Sequence, residues 1–411
     1  MVLETKLTRR QLLASAAAAT VMPAWMVEAQ PSGDSIVPFQ YHASDAALED
    51  LRRRLDQTRW PDRETCAGWD EGVPVASLRS LVDYWRSGYN WRRCEADLAQ
   101  WPQFKTEIDG LDIHFIHVKS KHKNALPLIL THGWPSTILL FREVIGPLTD
   151  PTSHGGAATD AFDVVIPSLP GFGFSGKPTE RGWNPERTAR AWAVLMQRLG
   201  YTRYVAQGGD WGAAVTTEMA QQHAAGLIGI HLNLAQTIPD VMPAKLLPDQ
   251  EYVVKTWKTY FTKYRGYFGM QSTRPQTVGY ALADSPAGQA AWIYDLYNWG
   301  TGGTGNPDTS INRDWILDEI TVYWLTDTAA SSARFYLEGA AMGDHDDPVE
   351  LPVGVSIFPH DLPAARSWAP LFYPKLIYWH EAERGGHFPQ LEVPQLFTEE
   401  LCRCFRGFQS A

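Results

Sequence analysis

The sequence predicts an α/β protein: a mostly parallel sheet covered by helices on both faces, with a helical segment before it and a helical lid inserted within it. Three observations lead there. After residue 105 short apolar runs alternate with helical periodicity, the pattern of strands buried on both faces by their connecting helices. Residues 31–105 carry only helical stripes and loops. Residues 236–345 interrupt the alternation with helical, aromatic-rich sequence that lies between two strand-like runs. Length agrees, since 411 residues at roughly 150 per domain suggest two or three structural pieces.

Composition narrows the function classes. Hydrophobic residues make up 44% and charged residues 20%, which excludes disorder, collagen-like repeats and a coiled coil. With 36 Lys and Arg against 46 Asp and Glu the net charge is −10, the wrong sign for tracking a phosphate backbone, so no nucleic acid partner is expected. The 17 Trp, 16 Tyr and 16 Phe suit a pocket for an apolar small molecule. Four Cys cannot staple a chain of this length, and Cys402 and Cys404 stand too close for a C-x-x-C pair. No H-E-x-x-H or His and carboxylate cluster is present in the sequence, so neither a metal nor a cofactor is expected.

In chain order, residues 1–30 read as an export signal. Thr8-Arg9-Arg10-Gln11-Leu12-Leu13 leads into an Ala-rich apolar run, and Val27-Glu28-Ala29 resembles a small-residue cleavage site. The string is similar to a twin-arginine signal. Its apolar run of 11 or so residues falls short of the roughly 20 that span a bilayer, so a mature protein without a stable membrane span is expected in a bacterial periplasm or outside the cell. Residues 31–105 follow as a helical meander, with Leu48, Leu51 and Leu55, then Leu78, Leu81, Val82, Trp85 and Tyr89, at helical spacing. Residues 106–235 form the first part of the sheet core and 346–411 the second, with strands expected at 126–130, 162–166, 204–206, 227–234, 353–358 and 376–379. One helix between them is sharply marked by Asn184 as N-cap, Pro185 at its first position and Gly200 past its end. The lid, 236–345, holds a Gly-rich loop at 301–305.

Gly208-Gly209-Asp210-Trp211-Gly212, between an apolar strand and the helix-compatible run 213–223, has the small-x-nucleophile-x-small spacing of a nucleophile elbow, but with Asp at its centre. No G-x-S-x-G occurs, which disfavours serine hydrolase chemistry. A carboxylate with a reference pKa of about 3.9 is already ionised at neutral pH and can attack a saturated carbon to give an ester. The strand at 126–130 ends in Thr131-His132-Gly133-Trp134-Pro135, which matches a loop donating a backbone N–H to an oxyanion hole. The donors would be the amides of Trp134 and Trp211. His387, in Arg384-Gly385-Gly386-His387-Phe388, fills the base position, and Asp361, in Phe358-Pro359-His360-Asp361, fills the acid position in the chain order of an α/β-hydrolase. Glu381 and Glu383 are rival acids, ranked lower because they lie on the base's own strand or loop. Gly171-Phe172-Gly173-Phe174-Ser175-Gly176 formally matches G-x-G-x-x-G, yet Lys177-Pro178 follows where a helix would have to open, so it reads as a rim loop and not a dinucleotide site.

These strings resemble the microsomal-type epoxide hydrolases, which join an N-terminal meander to an α/β-hydrolase domain with a lid. The similar residues include Arg54-Leu55, Thr58-Arg59-Trp60-Pro61-Asp62, Gly68-Trp69, Tyr84-Trp85, Trp91-Arg92 and Ile113-His114-Phe115 in the meander, and the loops around Trp134, Phe172, Asp210 and His387. The resemblance implies two lid phenols as proton donors: Tyr267, before Gln271-Ser272-Thr273-Arg274-Pro275, and Tyr336, in Ser331-Ser332-Ala333-Arg334-Phe335-Tyr336. It implies that Asp210 opens a hydrophobic epoxide to a covalent ester, and that water activated by His387 releases a vicinal diol. A homodimer is compatible with it. Two alternatives stand beside this reading. A haloalkane dehalogenase shares the Asp, acid and His, but it needs halide-stabilising N–H groups where epoxide opening needs acidic donors. An inactive hydrolase fold used for binding would show a damaged site, whereas nucleophile, acid, base and donors are all present.

Overall fold

The computed structural model describes residues 34–340 and 347–409. The expected export signal therefore lies outside the described residues. Among those described, nine strands form one sheet: β1 (Val37–Pro38), β2 (Gln103–Ile108), β3 (Leu111–Val118), β4 (Leu126–Thr131), β5 (Phe162–Pro167), β6 (Tyr204–Gly208), β7 (Leu227–Leu232), β8 (Val353–Ile357) and β9 (Leu376–Glu381). The order is β1-β2-β3-β5-β4-β6-β7-β8-β9. From β5 to β9 every neighbouring pair is parallel. All six expected strands are present in this parallel part.

The other three strands were not expected, and they add an antiparallel edge. β1 and the start of β2 fall within the expected meander, so the sheet reaches back past residue 106. The β2–β3 hairpin turns at Asp109 and Gly110, whose φ values of 52° and 74° suit the mirror-image two-residue turn that the Asp-Gly pair favours. That pair was a usable signal. The alternation around it is blurred because β3 buries four successive residues, Ile113 to Ile116, on both of its faces.

The helices preceding the sheet core are α1 (Asp45–Asp56), α2 (Val75–Ser87) and α3 (Trp91–Leu98). Leu48, Leu51 and Leu55 of α1 and Leu81, Val82 and Trp85 of α2 are buried as their spacing predicts, and the Ser44 side chain caps α1 by accepting from the Ala47 amide. Next come α4 (Ile145–Thr149), α5 (Pro185–Arg198) and α6 (Trp211–Gln221). Asn184 caps α5 through the Arg187 amide, and Gly200 beyond its end has φ 82°. No α-helix opens between the 171–176 rim loop and Pro185. The lid contains α7 (Pro248–Lys263), α8 (Gly266–Thr273), α9 (Pro275–Asp284), α10 (Pro286–Gly300), α11 (Arg313–Thr326) and α12 (Ala329–Ala340), and the C-terminal part adds α13 (Ala369–Phe372), α14 (Pro389–Glu392) and α15 (Pro394–Gln409). No described helix is long and apolar enough to cross a membrane.

One apolar cluster runs through meander, sheet and lid, so these segments share a core. A buried carboxylate ties them together as well. Asp318 of α11, fully buried, receives Arg142 Nη1 at 2.6 Å from the sheet layer, and Arg93 Nη2 at 2.6 Å and the Tyr89 hydroxyl at 2.6 Å from the meander. Nearby, the Trp85 indole donates to Thr321 Oγ1 at 3.0 Å. Removing one partner of such a cluster strands a buried charge, here the Arg142 guanidinium. Asp318→Ala is therefore expected to lower unfolding free energy by about 3–5 kcal/mol, read from a urea unfolding curve; a loss below about 1 kcal/mol would contradict this role for the cluster.

Candidate active site

The site begins where β6 turns into α6. Asp210 is the residue before the first helical position and has φ 51° and ψ −129°, a strained conformation for a residue with a side chain. Backbone packing enforces it. A Cβ on Gly208 would collide with the Gly212 carbonyl, and one on Gly212 with the Thr131 carbonyl at the end of β4. The helix starts at Trp211, two residues before the expected run, which leaves Asp210 at its positive end.

The β4 loop lies directly against this carboxylate. The Trp134 amide donates to Asp210 Oδ1 at 2.9 Å, and a side chain at Gly133 would overlap the carboxylate itself. Burial pushes the pKa of His132 down to about 4, and both ring nitrogens are engaged, by the Gly133 carbonyl at 3.0 Å and the Leu169 amide at 3.1 Å. The Trp211 amide stands at the first position of α6, where helical amides lack an intrahelical acceptor.

His387 comes from the loop after β9 and Asp361 from the loop after β8. Their Nδ1 and Oδ1 atoms are 2.7 Å apart, and His387 Nε2 is 3.6 Å from Asp210 Oδ2. The Leu362 amide also donates to Asp361 Oδ1, at 2.7 Å. The rival acids stay out of reach: Glu381 is exposed and accepts from the Trp379 indole, and Glu383 is exposed. Burial alone would lower the His387 pKa, but the Asp361 and Asp210 carboxylates on either side outweigh it and hold the imidazole at about 10. With Asp210 free, both neighbouring carboxylates thus favour the protonated ring.

Both lid tyrosines reach the same place. The Tyr267 ring stacks on Trp134 with centroids 5.1 Å apart and planes within 14°. Tyr336 stands edge-on to Trp134 at 5.8 Å and to Trp211 at 4.9 Å. Burial first, then the neighbouring phenols and Asp210, raises the Tyr267 pKa well above the usual phenol value; burial and Asp210 do the same for Tyr336. Both therefore stay protonated at neutral pH. The structure brings together Asp210, His387, Asp361, Trp134, Trp211, Tyr267 and Tyr336.

Two neighbours escaped the sequence reading. Glu392 Oε1 accepts the Gly386 and Phe388 amides at 3.1 and 3.0 Å, fixing the backbone on both sides of His387; burial raises its carboxyl to about 7. Tyr260 hydrogen-bonds Tyr267, hydroxyl to hydroxyl, at 2.7 Å. Neither belongs to a local string that singles it out. Among the described residues no cluster of three or more His, Cys, Asp or Glu is arranged to hold a metal ion.

Fold and site together define an α/β-hydrolase with a carboxylate at the nucleophile position and phenols in its lid. Residues 36–141 match the family model described as epoxide hydrolase N terminus, and 127–277 the model for the alpha/beta hydrolase fold. A protein of Stigmatella aurantiaca provisionally named an epoxide hydrolase is 55% identical, aligned over 91% of this chain and 86% of its own. Epoxide hydrolase 1 of Sus scrofa is 36% identical, over 91% and 89%. The crystal structure of the juvenile hormone epoxide hydrolase of Bombyx mori superposes with TM-score 0.83 at 30% identity, covering 92% of this chain and 95% of that one. The chain belongs to the microsomal-type epoxide hydrolase family.

The His387 ion cluster has a pH signature. Its folded pKa lies above the ordinary value of about 6.5, so the stability it contributes is full below that pH and is lost as pH rises through about 10. The stability gap between the wild type and His387→Gln should therefore shrink from pH 6 to pH 10.5 in chemical denaturation; a constant gap would show that the imidazole is not held charged.

Proposed function

We propose that this enzyme hydrolyses a hydrophobic epoxide to a vicinal diol through an ester on Asp210. The observation that carries the reading is the convergence of two proton-bearing, buried phenols on a carboxylate that is already paired with a His–Asp couple. An oxirane oxygen has no proton and becomes an alkoxide as the ring opens. Tyr267 and Tyr336 supply what that charge needs, buried O–H donors beside Asp210. A dehalogenase would instead have to stabilise a departing halide.

In the first step an Asp210 oxygen bonds to the less hindered ring carbon, the C–O bond of the ring breaks, and the alkoxide takes a phenol proton. Esterification removes the Asp210 charge that helped hold His387 protonated. The imidazolium then releases its proton, which makes good the one taken from the phenol, and leaves a neutral ring. In the second step that ring removes a proton from water, the hydroxide attacks the Asp210 carbonyl, and the amides of Trp134 and Trp211 stabilise the oxyanion. The ester C–O bond then breaks, the departing diol oxygen takes the proton of the acid left at Asp210, and the carboxylate and the imidazolium are restored. Each half-reaction is balanced in protons, and alkylation itself converts His387 from an acid into a base.

With excess enzyme and one turnover of styrene oxide in heavy-oxygen water, label should appear in Asp210 before it appears in the diol, and His387→Ala should accumulate an ester on the Asp210 peptide by mass spectrometry. Label in the diol alone, with no ester in the variant, would mean direct hydration.

The twin-arginine reading of residues 1–30 adds export as part of the proposal. Replacing Arg9 and Arg10 with Lys in a bacterial host should retain the protein in the cytoplasm; unchanged export would reject that route.

A further inference from the structure

We infer that Tyr260 is a positioning residue for ring opening, acting through Tyr267 as the outer member of a pair of phenols. This rests on the Asp210 ester reading and deepens it. Tyr260 lies on α7, the residue 7% exposed, with its hydroxyl 2.7 Å from that of Tyr267 on α8. Its ring packs against Trp299 at 5.1 Å, and Trp299 packs against the His387 ring at 5.3 Å. α7 is fixed in turn to the acid loop, since the Trp257 indole donates to the Pro363 carbonyl at 3.0 Å and Gln250 to Ser367 at 2.9 Å.

Either hydroxyl can donate in this pair, and each phenol has one proton to give. If Tyr267 donated to Tyr260, it would have nothing to offer an oxirane oxygen, which can only accept. The order compatible with ring opening is Tyr260 donating to the Tyr267 oxygen and Tyr267 donating to the substrate. Tyr260 thereby locks the Tyr267 hydroxyl rotor, and its own hydrogen bond strengthens as negative charge builds on the Tyr267 oxygen, because bonds to charged acceptors are roughly twice as strong as neutral ones. The two lid phenols are thus unequal. Tyr336 has the Trp211 side chain beside its buried hydroxyl but no second phenol behind it. The geometry makes Tyr267 the phenol that yields its proton.

The test is rapid-quench formation of the Asp210 ester from styrene oxide, with ester hydrolysis measured separately. Tyr260→Phe should slow ester formation at least tenfold or so while leaving hydrolysis near the wild-type rate. In a Tyr267→Phe background the same change should add no further loss. A 3-fluorotyrosine at position 260, a stronger donor of nearly equal size, should keep ester formation at or above the wild-type rate even if Tyr260→Phe folds poorly. Unchanged ester formation in Tyr260→Phe, an equal loss in both backgrounds, or equal slowing of both steps would overturn the inference. Wild-type turnover with no Asp210 ester would instead overturn the reading beneath it.

Discussion

Everything in the site is referred to one backbone contact, the elbow of β6 and α6 pressed against the end of β4. Gly208 and Gly212 are required there because carbonyl groups occupy the space a side chain would fill. The contact forces Asp210 into positive φ, and the sheet and helix absorb that strain through their own packing. The result is a carboxylate whose position is set by main-chain atoms, with the Trp134 amide already bound to one oxygen. The loops bearing His387 and Asp361 follow the two outermost parallel strands, so their spacing from Asp210 is inherited from the sheet.

On that frame the electrostatics are shared between steps. In the proposed reaction Asp210 is both the attacking group and one of the two carboxylates that raise the His387 pKa. Under that proposal no separate switch is needed to turn the imidazole into a base, because bond formation removes one of its counter-charges. The phenols work by the opposite logic. Burial keeps them protonated beside Asp210, as the proposed donor role requires.

How much of this the sequence disclosed depends on range. Asp210, Trp134 and His387 were legible because each sits in a short string whose glycines reflect local geometry, and the strands of the parallel part were legible from their continuous apolar runs. Asp361 followed from chain order. Tyr267 and Tyr336 could be chosen only through the family resemblance, since nothing in a helical lid distinguishes one aromatic from another. Asp318 was invisible for a different reason: its charge partners, Arg93 and Arg142, lie 225 and 176 positions away, and a buried acid looks like a surface acid until the fold is assembled. Tyr260 and Glu392 are similar cases at shorter range, each meaningful only through what a neighbouring element places beside it. The β2–β3 hairpin lay between these cases, announced by Asp109-Gly110 but masked by a strand buried on both faces.

The two halves of the lid are fastened unequally. Asp318 rivets α11 to sheet and meander, whereas α7 rests on a small separate cluster of Val253, Ala365 and Trp368 and leaves much of its surface in water. α7 is held mainly by its own ties, the Trp257 and Gln250 hydrogen bonds to the acid loop and the Tyr260 hydroxyl against that of Tyr267 on α8. Sequence can drift along the wet face of this helix without dismantling the core.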